Sequence, residues 1–213
     1  MSDLKDFFNE RKQEVEVFIQ FIEKIEQEAT YADEIKILKS QAVLMLYNLI
    51  EGTVNKGISC IFDEINDSSL KQEETCEQIR IMWLRYFKLH CDDNGNNQKT
   101  LSCINSFIDK KVDIDIGKFR ENNPSYLKGG SLDSRAIKEI LKKFSIEFST
   151  FEYKLKEVKK ERNHLAHGEK SFTEIGQNKS ILDVKESKEK VVTFLALYVT
   201  EIDQYIDDKL YMN

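Results

Sequence analysis

Proline and glycine are both scarce in this sequence, which has one proline, Pro124, and eight glycines in 213 residues. A β-sandwich or barrel needs a turn about every 8–12 residues, and such turns draw heavily on both residue types. A disordered chain is excluded as well, because 40% of the residues are hydrophobic. The composition predicts a helix-rich globular protein, and the length suits a single domain spanning residues 1–213.

Long hydrophobic runs are also missing. No stretch approaches the roughly 18 consecutive apolar residues that a membrane-spanning helix needs, so we expect no membrane contact. The segment MSDLKDFFNERKQEVEVF (1–18) is charged and amphipathic, without the apolar core of a secretory signal peptide. Together these features predict a cytoplasmic protein.

Cysteine and histidine form no metal-binding pattern. The four cysteines lie 16, 15 and 12 residues apart, and none belongs to a CxxC pair: Cys60, Cys76, Cys91 and Cys103. Only three histidines are present, too few to complete a zinc-ligand pattern with these cysteines. We therefore expect reduced thiols, and neither a metal nor another cofactor.

The net charge of −6 argues against a protein that coats nucleic acid without selectivity. The charge is uneven, however. Residues 135–170 carry ten Lys or Arg and six Glu, so this window is +4 and the remainder of the chain is −10. A local basic face on an acidic body suits the binding of a limited polyanion segment.

Apolar residues recur at helical spacing through most of the chain, which predicts core helices at about 3–90 and 133–210, separated by an insert at about 91–131. The helix at 32–65 is apolar on nearly all sides in its middle and is expected to be the most buried. The other helices are expected at about 4–28, 68–90, 100–111, 133–144, 147–168 and 186–210. Suitable N-caps precede three of them: Ser2 or Asp3, Ser68 or Ser69, and Asp133 or Ser134.

The insert has a different pattern. VDIDI (112–116) alternates apolar and acidic residues, which is typical of a short edge strand. Residues 117–134 contain Pro124 and the Gly129–Gly130 pair and are predicted to be a loop. The overall prediction is an all-α helical bundle with a loop-rich insert and at most one short strand.

Two of the three histidines lie in KKERNHLAHGEK (159–170), where a helix is predicted to end near Gly168. If the helix continues through His167, then Asn163 and His167 share one face at positions i and i+4. Arg162 is then about 140° away around the helix axis. Its long side chain has to reach round the helix, or the helix has to loosen before Gly168.

An arginine and a histidine without a cluster of carboxylates suit the cleavage of RNA. The ribose 2′-OH attacks the neighbouring phosphate once a base removes its proton, and an acid protonates the departing 5′-oxygen. Arginine stabilises the charge that develops on the phosphate, because its planar fork matches phosphate oxygens. Histidine transfers protons near neutral pH. The substrate supplies the nucleophile, so this chemistry requires no metal.

This reaction needs both an acid and a base. His164 is a second histidine in the segment, but it lies about 60° on the far side of His167. A symmetric dimer would instead bring together two copies of Arg162 and His167, and we favour this arrangement. On spacing alone, an ordinary helix terminus explains the same residues, since a histidine beside a glycine is common at helix ends.

Three separated segments resemble one known family: LKSQAVLMLYNLIEGTV (38–54), GGSLDSRAIKEILKKFSI (129–146) and RNHLAHGEKSFTEIG (162–176). They are similar to segments of the MAE-type HEPN-like nucleases, a branch of the HEPN superfamily. Nucleases of this superfamily carry an Arg and a His separated by four to six residues, often with a polar residue directly after the Arg. Arg162, Asn163 and His167 match that signature.

The resemblance implies an all-α domain that dimerises with the Arg/His motif at the dimer cleft. It also implies a metal-independent endoribonuclease of a toxin–antitoxin, abortive-infection or other antiphage system, with an antitoxin or partner protein of that system. Carried over to this sequence, Arg162 and His167 are the catalytic pair, and Asn163 orients the histidine or contacts phosphate. His164 falls at a variable position of the motif, so we expect it at most to contact RNA.

Two further charged residues are candidates for the site. Glu51 lies in an otherwise apolar helix centre and is expected either to support Arg162 or to be a carboxylate satisfied by solvent or a lysine. Lys159 precedes Arg162 by three residues and is expected either to contact the RNA backbone or to lie on a solvated helix face.

Two other functions compete with the nuclease. The first is a non-catalytic HEPN module that binds RNA, a nucleotide or a partner protein in a defence or toxin–antitoxin system. The second is a helical interaction subunit in which the motif is fortuitous. The intact Arg162 and His167 pair favours the enzyme over both.

Overall fold

The computed structural model describes residues 2–27, 31–88, 97–123 and 131–213. These residues form helices and no strand, which confirms the all-α prediction. A short 3-10 turn covers Gln72–Glu74. The α-helices of the described residues are α1 (Asp3–Ile25), α2 (Ala32–Asp67), α3 (Glu77–Lys88), α4 (Asn97–Asp109), α5 (Ile116–Asn122), α6 (Ser134–Lys142), α7 (Tyr153–Ala166), α8 (Phe172–Gly176) and α9 (Ile181–Asp207).

Helix α2 is the centre of the molecule, as its sequence predicts. It packs against α1, α7, α8 and α9, so apolar side chains on several of its sides leave water. Five of its aliphatic residues are completely buried: Leu46, Ile50, Val54, Ile61 and Ile65. Each such burial stabilises the fold by about 1.5–3 kcal/mol. None of the described helices combines the length and apolarity that a bilayer crossing requires.

The predicted N-caps Ser2 and Asp133 are confirmed. The Ser2 hydroxyl accepts a hydrogen bond from the Lys5 N–H, and the Asp133 carboxylate accepts bonds from the Arg135 and Ala136 N–H groups. The predicted cap at Ser68 or Ser69 is wrong. Ser68 ends α2, and its hydroxyl donates to the Glu64 carbonyl. Ser69 has a positive φ of 52°, which turns the chain away, so the next α-helix begins only at Glu77.

The predicted edge strand at 112–116 is wrong as well. Val112 and Ile114 alternate with exposed residues because they bury their side chains. Among the described residues, backbone pairing here is limited to an isolated bridge between Lys71 and Lys111, with the Val112 N–H bonded to the Leu70 carbonyl at 2.7 Å, and it does not extend into a strand. The side chain of Asn66 takes the place of a strand, since it accepts from the Ile114 N–H at 2.9 Å and donates to the Ile114 carbonyl at 3.2 Å. The alternating pattern therefore reflects the burial of Val112 and Ile114 beside the end of α2, and not a strand.

Several helix boundaries also differ from the prediction. The interval 117–134 was expected to be a loop, but α5 extends into it from Ile116, because Asp115 caps this helix by accepting from the Lys118 N–H. The last helix, α9, begins at Ile181 and not near 186. Helix α7 begins at Tyr153 and not near 147, and the connector after Gly168 contains the short helix α8. Within the predicted insert, residues 91–96, Pro124 and the Gly129–Gly130 pair lie outside the described residues.

Helix α8 sits unusually close to α2. A Cβ atom added at Gly176 would lie 1.7 Å from the carbonyl oxygen of Lys36, so only glycine allows this approach. One turn away on α2, the Ser40 hydroxyl donates to the Phe172 carbonyl at 2.5 Å. Both contacts fix α8, and with it the chain that follows the end of α7.

We predict that Gly176→Ala lowers the free energy of unfolding by about 2 kcal/mol or more, because backbone has to move to admit the methyl group. Gly52→Ala is the matched control within α2, where the added carbon would meet only the edge of the Phe7 ring at 3.4 Å. That substitution should be neutral or stabilise by up to about 1 kcal/mol through helix propensity. Urea unfolding measures both, and equal effects at the two positions would contradict the close approach.

Candidate Arg/His site

The segment that carries the two histidines forms the end of α7, and its backbone follows from one glycine. Gly168 has a φ of 69°, a conformation that favours glycine, and His167 is the C-cap residue. The N–H of Gly168 bonds to the Leu165 carbonyl at 3.2 Å, and that of Glu169 bonds to the His164 carbonyl at 2.9 Å. This is the Schellman arrangement of a helix terminus. It ends the helix at the predicted place and leaves His167 exposed.

Arg162 lies one turn before this terminus and is held on three sides. Its Nη1 donates to Asn163 Oδ1 at 3.1 Å, and its Nη2 is 3.7 Å from Glu51 Oε2. The guanidinium carbon lies 4.3 Å from the centroid of the Tyr47 ring. The Arg162 side chain is 27% exposed, so the guanidinium is both fixed and open to a ligand.

Tyr47 forms the floor of the site, and sequence reasoning did not assign it a role. It is completely buried, and its hydroxyl oxygen accepts a hydrogen bond from the Leu132 N–H at 3.1 Å. Burial raises the pKa of Tyr47 above its ordinary value, and the negative charge of Glu51 raises it further. The ring is therefore a neutral phenol at physiological pH. Its position four residues before Glu51, on the same helix face, was the available signal.

The two histidines of the segment differ in their surroundings. His164 Nδ1 is in hydrogen-bonding contact with Glu169 Oε2, five residues further along the chain. Within the described part of the protein, the His167 side chain has no hydrogen-bond or ion-pair partner. The imidazole that is free to exchange a proton with a ligand is therefore that of His167.

Lys159 has a contact that its sequence position did not suggest. Its Nζ is 2.5 Å from Asp133 Oδ2, so it ties α7 to the N-terminus of α6. Burial on its own raises the pKa of Asp133, but the hydrogen bonds from Lys159 and from the Ala136 and Arg135 N–H groups outweigh it, and that pKa lies below its ordinary value. The contact gives Lys159 a structural role. Its neighbour Lys160 is exposed.

No group of three or more His, Cys, Asp or Glu side chains in the described ranges is arranged to hold a metal ion. The polar side chains gathered near the end of α7 are those of Arg162, Asn163, His164 and His167, with Glu51 facing Arg162 from α2. They present a fixed cation and, five residues further along the chain, an exposed imidazole.

Fold and site together define an all-α protein with an Arg/His pair at a helix terminus that packs on a central helix. A family model described as HEPN_MAE_28990/-like HEPN matches residues 1–211, nearly the whole chain, and the protein belongs to this family. It is a HEPN-domain protein, of a superfamily whose members are generally nucleases or RNA-binding proteins. No curated protein matches the chain, and no solved structure matches it.

We predict a pH-dependent effect of Asp133→Asn, which keeps a capping oxygen but removes the charge that binds Lys159. Because the folded pKa of Asp133 is lowered, its charged form contributes stability above the unfolded pKa of about 3.9, and this is lost as the pH falls through the folded value. The variant should lose about 1 kcal/mol in the free energy of unfolding at pH 7. The difference from wild type should shrink toward pH 3, as measured by urea unfolding.

Asp115→Asn is the control, since Asp115 also caps a helix and pairs with a lysine. Its ion pair with Lys118 spans 3.5 Å, and the two side chains are 47% and 63% exposed, so solvent screens it and the loss should be smaller. Equal losses at both positions, or a difference that does not change with pH, would contradict the role given to Asp133.

Proposed function

We propose that this protein is a metal-independent endoribonuclease that acts as a homodimeric toxin or antiphage effector, in a system with an antitoxin or other partner protein. The observation that carries the proposal is the fixed guanidinium of Arg162, on a side chain that is 27% exposed, five residues before an exposed imidazole that has no partner among the described residues. RNA supplies its own 2′-OH as nucleophile, so a cation and a proton-transfer group are the parts that the protein has to provide.

Arg162 is assigned to the scissile phosphate. A guanidinium has five N–H donors, and the contacts described for Arg162 use one of them in a hydrogen bond, to Asn163. The Glu51 carboxylate at 3.7 Å is an ion-pair partner beyond hydrogen-bond distance, which leaves donors for two phosphate oxygens. Asn163 holds the guanidinium through its Oδ1 and keeps its own amide N–H groups for the phosphate or for His167.

His167 is assigned to proton transfer, as acid or as base. His164 is bound to Glu169 and is a weaker candidate for the second proton transfer, so it is left with the lesser role of an RNA contact. A two-fold dimer supplies a second His167 and a second Arg162, which completes the pair of acid and base. Lys159 forms an ion pair with Asp133, so any contribution that it makes to RNA binding is indirect.

The proposal is tested by incubating total RNA in EDTA with wild-type protein, Arg162→Ala, His167→Ala and His164→Ala, all purified identically. Wild type should release fragments ending in 2′,3′-cyclic phosphate. Loss of the proton-transfer group or the cation should lower the rate by about 100-fold or more, and His164→Ala should lower it much less. A 2′-deoxy substitution at the scissile nucleotide should abolish cleavage.

Two outcomes would contradict the nuclease. Wild-type rates from His167→Ala would show that another group, or a contaminant, does the cleaving. A correctly folded wild-type dimer that binds RNA without cutting it, both alone and with its partner protein, would identify a non-catalytic HEPN binding module.

The dimer makes a separate prediction. Solution mass, measured by light scattering, should be twice the chain mass of 25.0 kDa. Mixing wild-type with His167→Ala subunits tests whether one site draws on both chains. A site that needs two His167 side chains is inactive in the mixed dimer, so activity should fall with the square of the wild-type fraction. A monomeric protein with full activity would remove the source of the second His167 and would assign that proton transfer to His164 or to water.

A further inference from the structure

The contact between Arg162 and Tyr47 has a geometry that ordinary core packing does not require. A guanidinium is planar and donates hydrogen bonds only in its plane. With the Tyr47 ring 4.3 Å from the guanidinium carbon, the edges of the guanidinium remain available for in-plane contacts. Asn163 and Glu51 take up part of those edges, at 3.1 Å and 3.7 Å.

The hydroxyl of Tyr47 also has a defined hydrogen-bond partner. It accepts the Leu132 N–H in a buried hydrogen bond, and Leu132 is the residue directly before the N-cap of α6. The next residue, Asp133, binds Lys159, which lies three residues before Arg162 on α7. The contacts therefore form a closed circuit from α2 to Leu132, through Asp133 and Lys159 to α7, and back to α2 through Arg162 and the ring.

A closed circuit of this kind restricts the register of α7 on α2. Lys159 and Arg162 both lie on α7, so sliding or rotating α7 breaks the ion pair to Asp133 and the ring contact together, while the Tyr47–Leu132 hydrogen bond holds α2 to the start of α6. The ring is the link that lies against the guanidinium itself, with its centroid 4.3 Å from the guanidinium carbon. An aliphatic side chain of similar size would fill the same volume but would lack the quadrupole that attracts a cation.

We propose that Tyr47 is a positioning residue for Arg162: its ring sets the plane of the guanidinium, and its hydroxyl, through Leu132, couples that plane to the start of α6. The inference rests on the proposed function for its effect on cleavage, but the stack itself is independent of any activity. Tyr47 touches Arg162 and not the reacting atoms, so it acts through the arginine.

The first test is spectroscopic and uses the wild-type chain. Protons of Arg162 above an aromatic ring should show an upfield ring-current shift in NMR spectra, relative to the denatured chain. Tyr47→Phe keeps the ring and should keep the shift, and Tyr47→Leu should abolish it. Arg162 protons at denatured-chain positions in the folded wild type would overturn the proposal without any variant.

The second test is kinetic. Tyr47→Leu should lower kcat/KM by about tenfold, the size expected for a cation–π contact of about 1.4 kcal/mol. The loss should lie in kcat, because a guanidinium in the wrong plane binds phosphate but stabilises the transition state less well. Tyr47→Phe should lose about threefold or less, since the ring remains and only the link to Leu132 is gone.

Phe62→Leu is the matched control. Phe62 is on the same helix, is completely buried and packs on Phe119 and Phe144. It lies 15 residues from Tyr47, about 22 Å along α2 at a rise of 1.5 Å per residue. Its substitution should reduce stability as Tyr47→Leu does and leave kcat unchanged, which separates a positioning effect from a general loss of packing.

The results of these tests distinguish failure of the nuclease proposal from failure of the positioning role of Tyr47. If wild type cuts no RNA under any condition, the nuclease fails, and the ring-current shifts alone decide the stack. If wild type cuts RNA and Tyr47→Leu cuts it at the same rate, or loses activity only in proportion to the Phe62→Leu control, the positioning role is overturned while the nuclease stands.

Discussion

The guanidinium of Arg162 rests on the ring of Tyr47 at 4.3 Å, and this contact joins α7 to the most buried helix of the molecule. Helix α2 can hold the ring rigidly because α1, α8 and α9 pack on its other sides. A buried aromatic ring in a close-packed interior has little freedom to move. Because the guanidinium of Arg162 contacts this ring, it is held in one orientation at the surface of the protein.

The end of α7 requires a different kind of constraint. His167 is exposed and no packing holds it, so its position depends on the backbone that Gly168 terminates. Beyond that turn, the Gly176 backbone meets the Lys36 carbonyl on α2 and anchors the chain on the far side. The histidine therefore lies on a short span fixed at both ends, although its own side chain remains free. Such an arrangement suits a group that has to exchange a proton with a ligand.

The sequence predicted the helical class and the residues at the end of α7, but not the surroundings of those residues. Arg162 and His167 could be singled out because their spacing is local, and Gly168 marked the helix end. Tyr47 is buried in the centre of α2, and no spacing in the sequence reveals that α7 crosses α2 at that turn. Lys159 was read as a surface cation because its partner, Asp133, lies 26 residues earlier.

Two of the errors arise from a sequence pattern that fits more than one structure. The alternation at 112–116 was read as a strand because period-two burial is the usual sign of pairing, whereas here the Asn66 side chain, 48 residues from Ile114, satisfies the backbone. Ser68 has the chemistry of an N-cap, but the same hydroxyl can close the preceding helix, and the positive φ of Ser69 decided between the two. A tertiary contact determined the outcome at 112–116, and a local backbone turn determined it at Ser68. In both cases the sequence pattern was compatible with either structure.

The charges near the site limit what it can bind. The window 135–170 has an excess of cations in the sequence, yet Lys159 is neutralised by Asp133 and Lys154 by Glu157 and Glu186. The window therefore has fewer unpaired positive charges than its number of lysines implies, and the remainder of the chain is acidic. A long duplex would meet repulsion away from the site. A short single-stranded segment would meet Arg162 and the exposed lysines nearest to it in the sequence, Lys156, Lys160 and Lys170, which fits a proposed substrate that enters at one scissile phosphate.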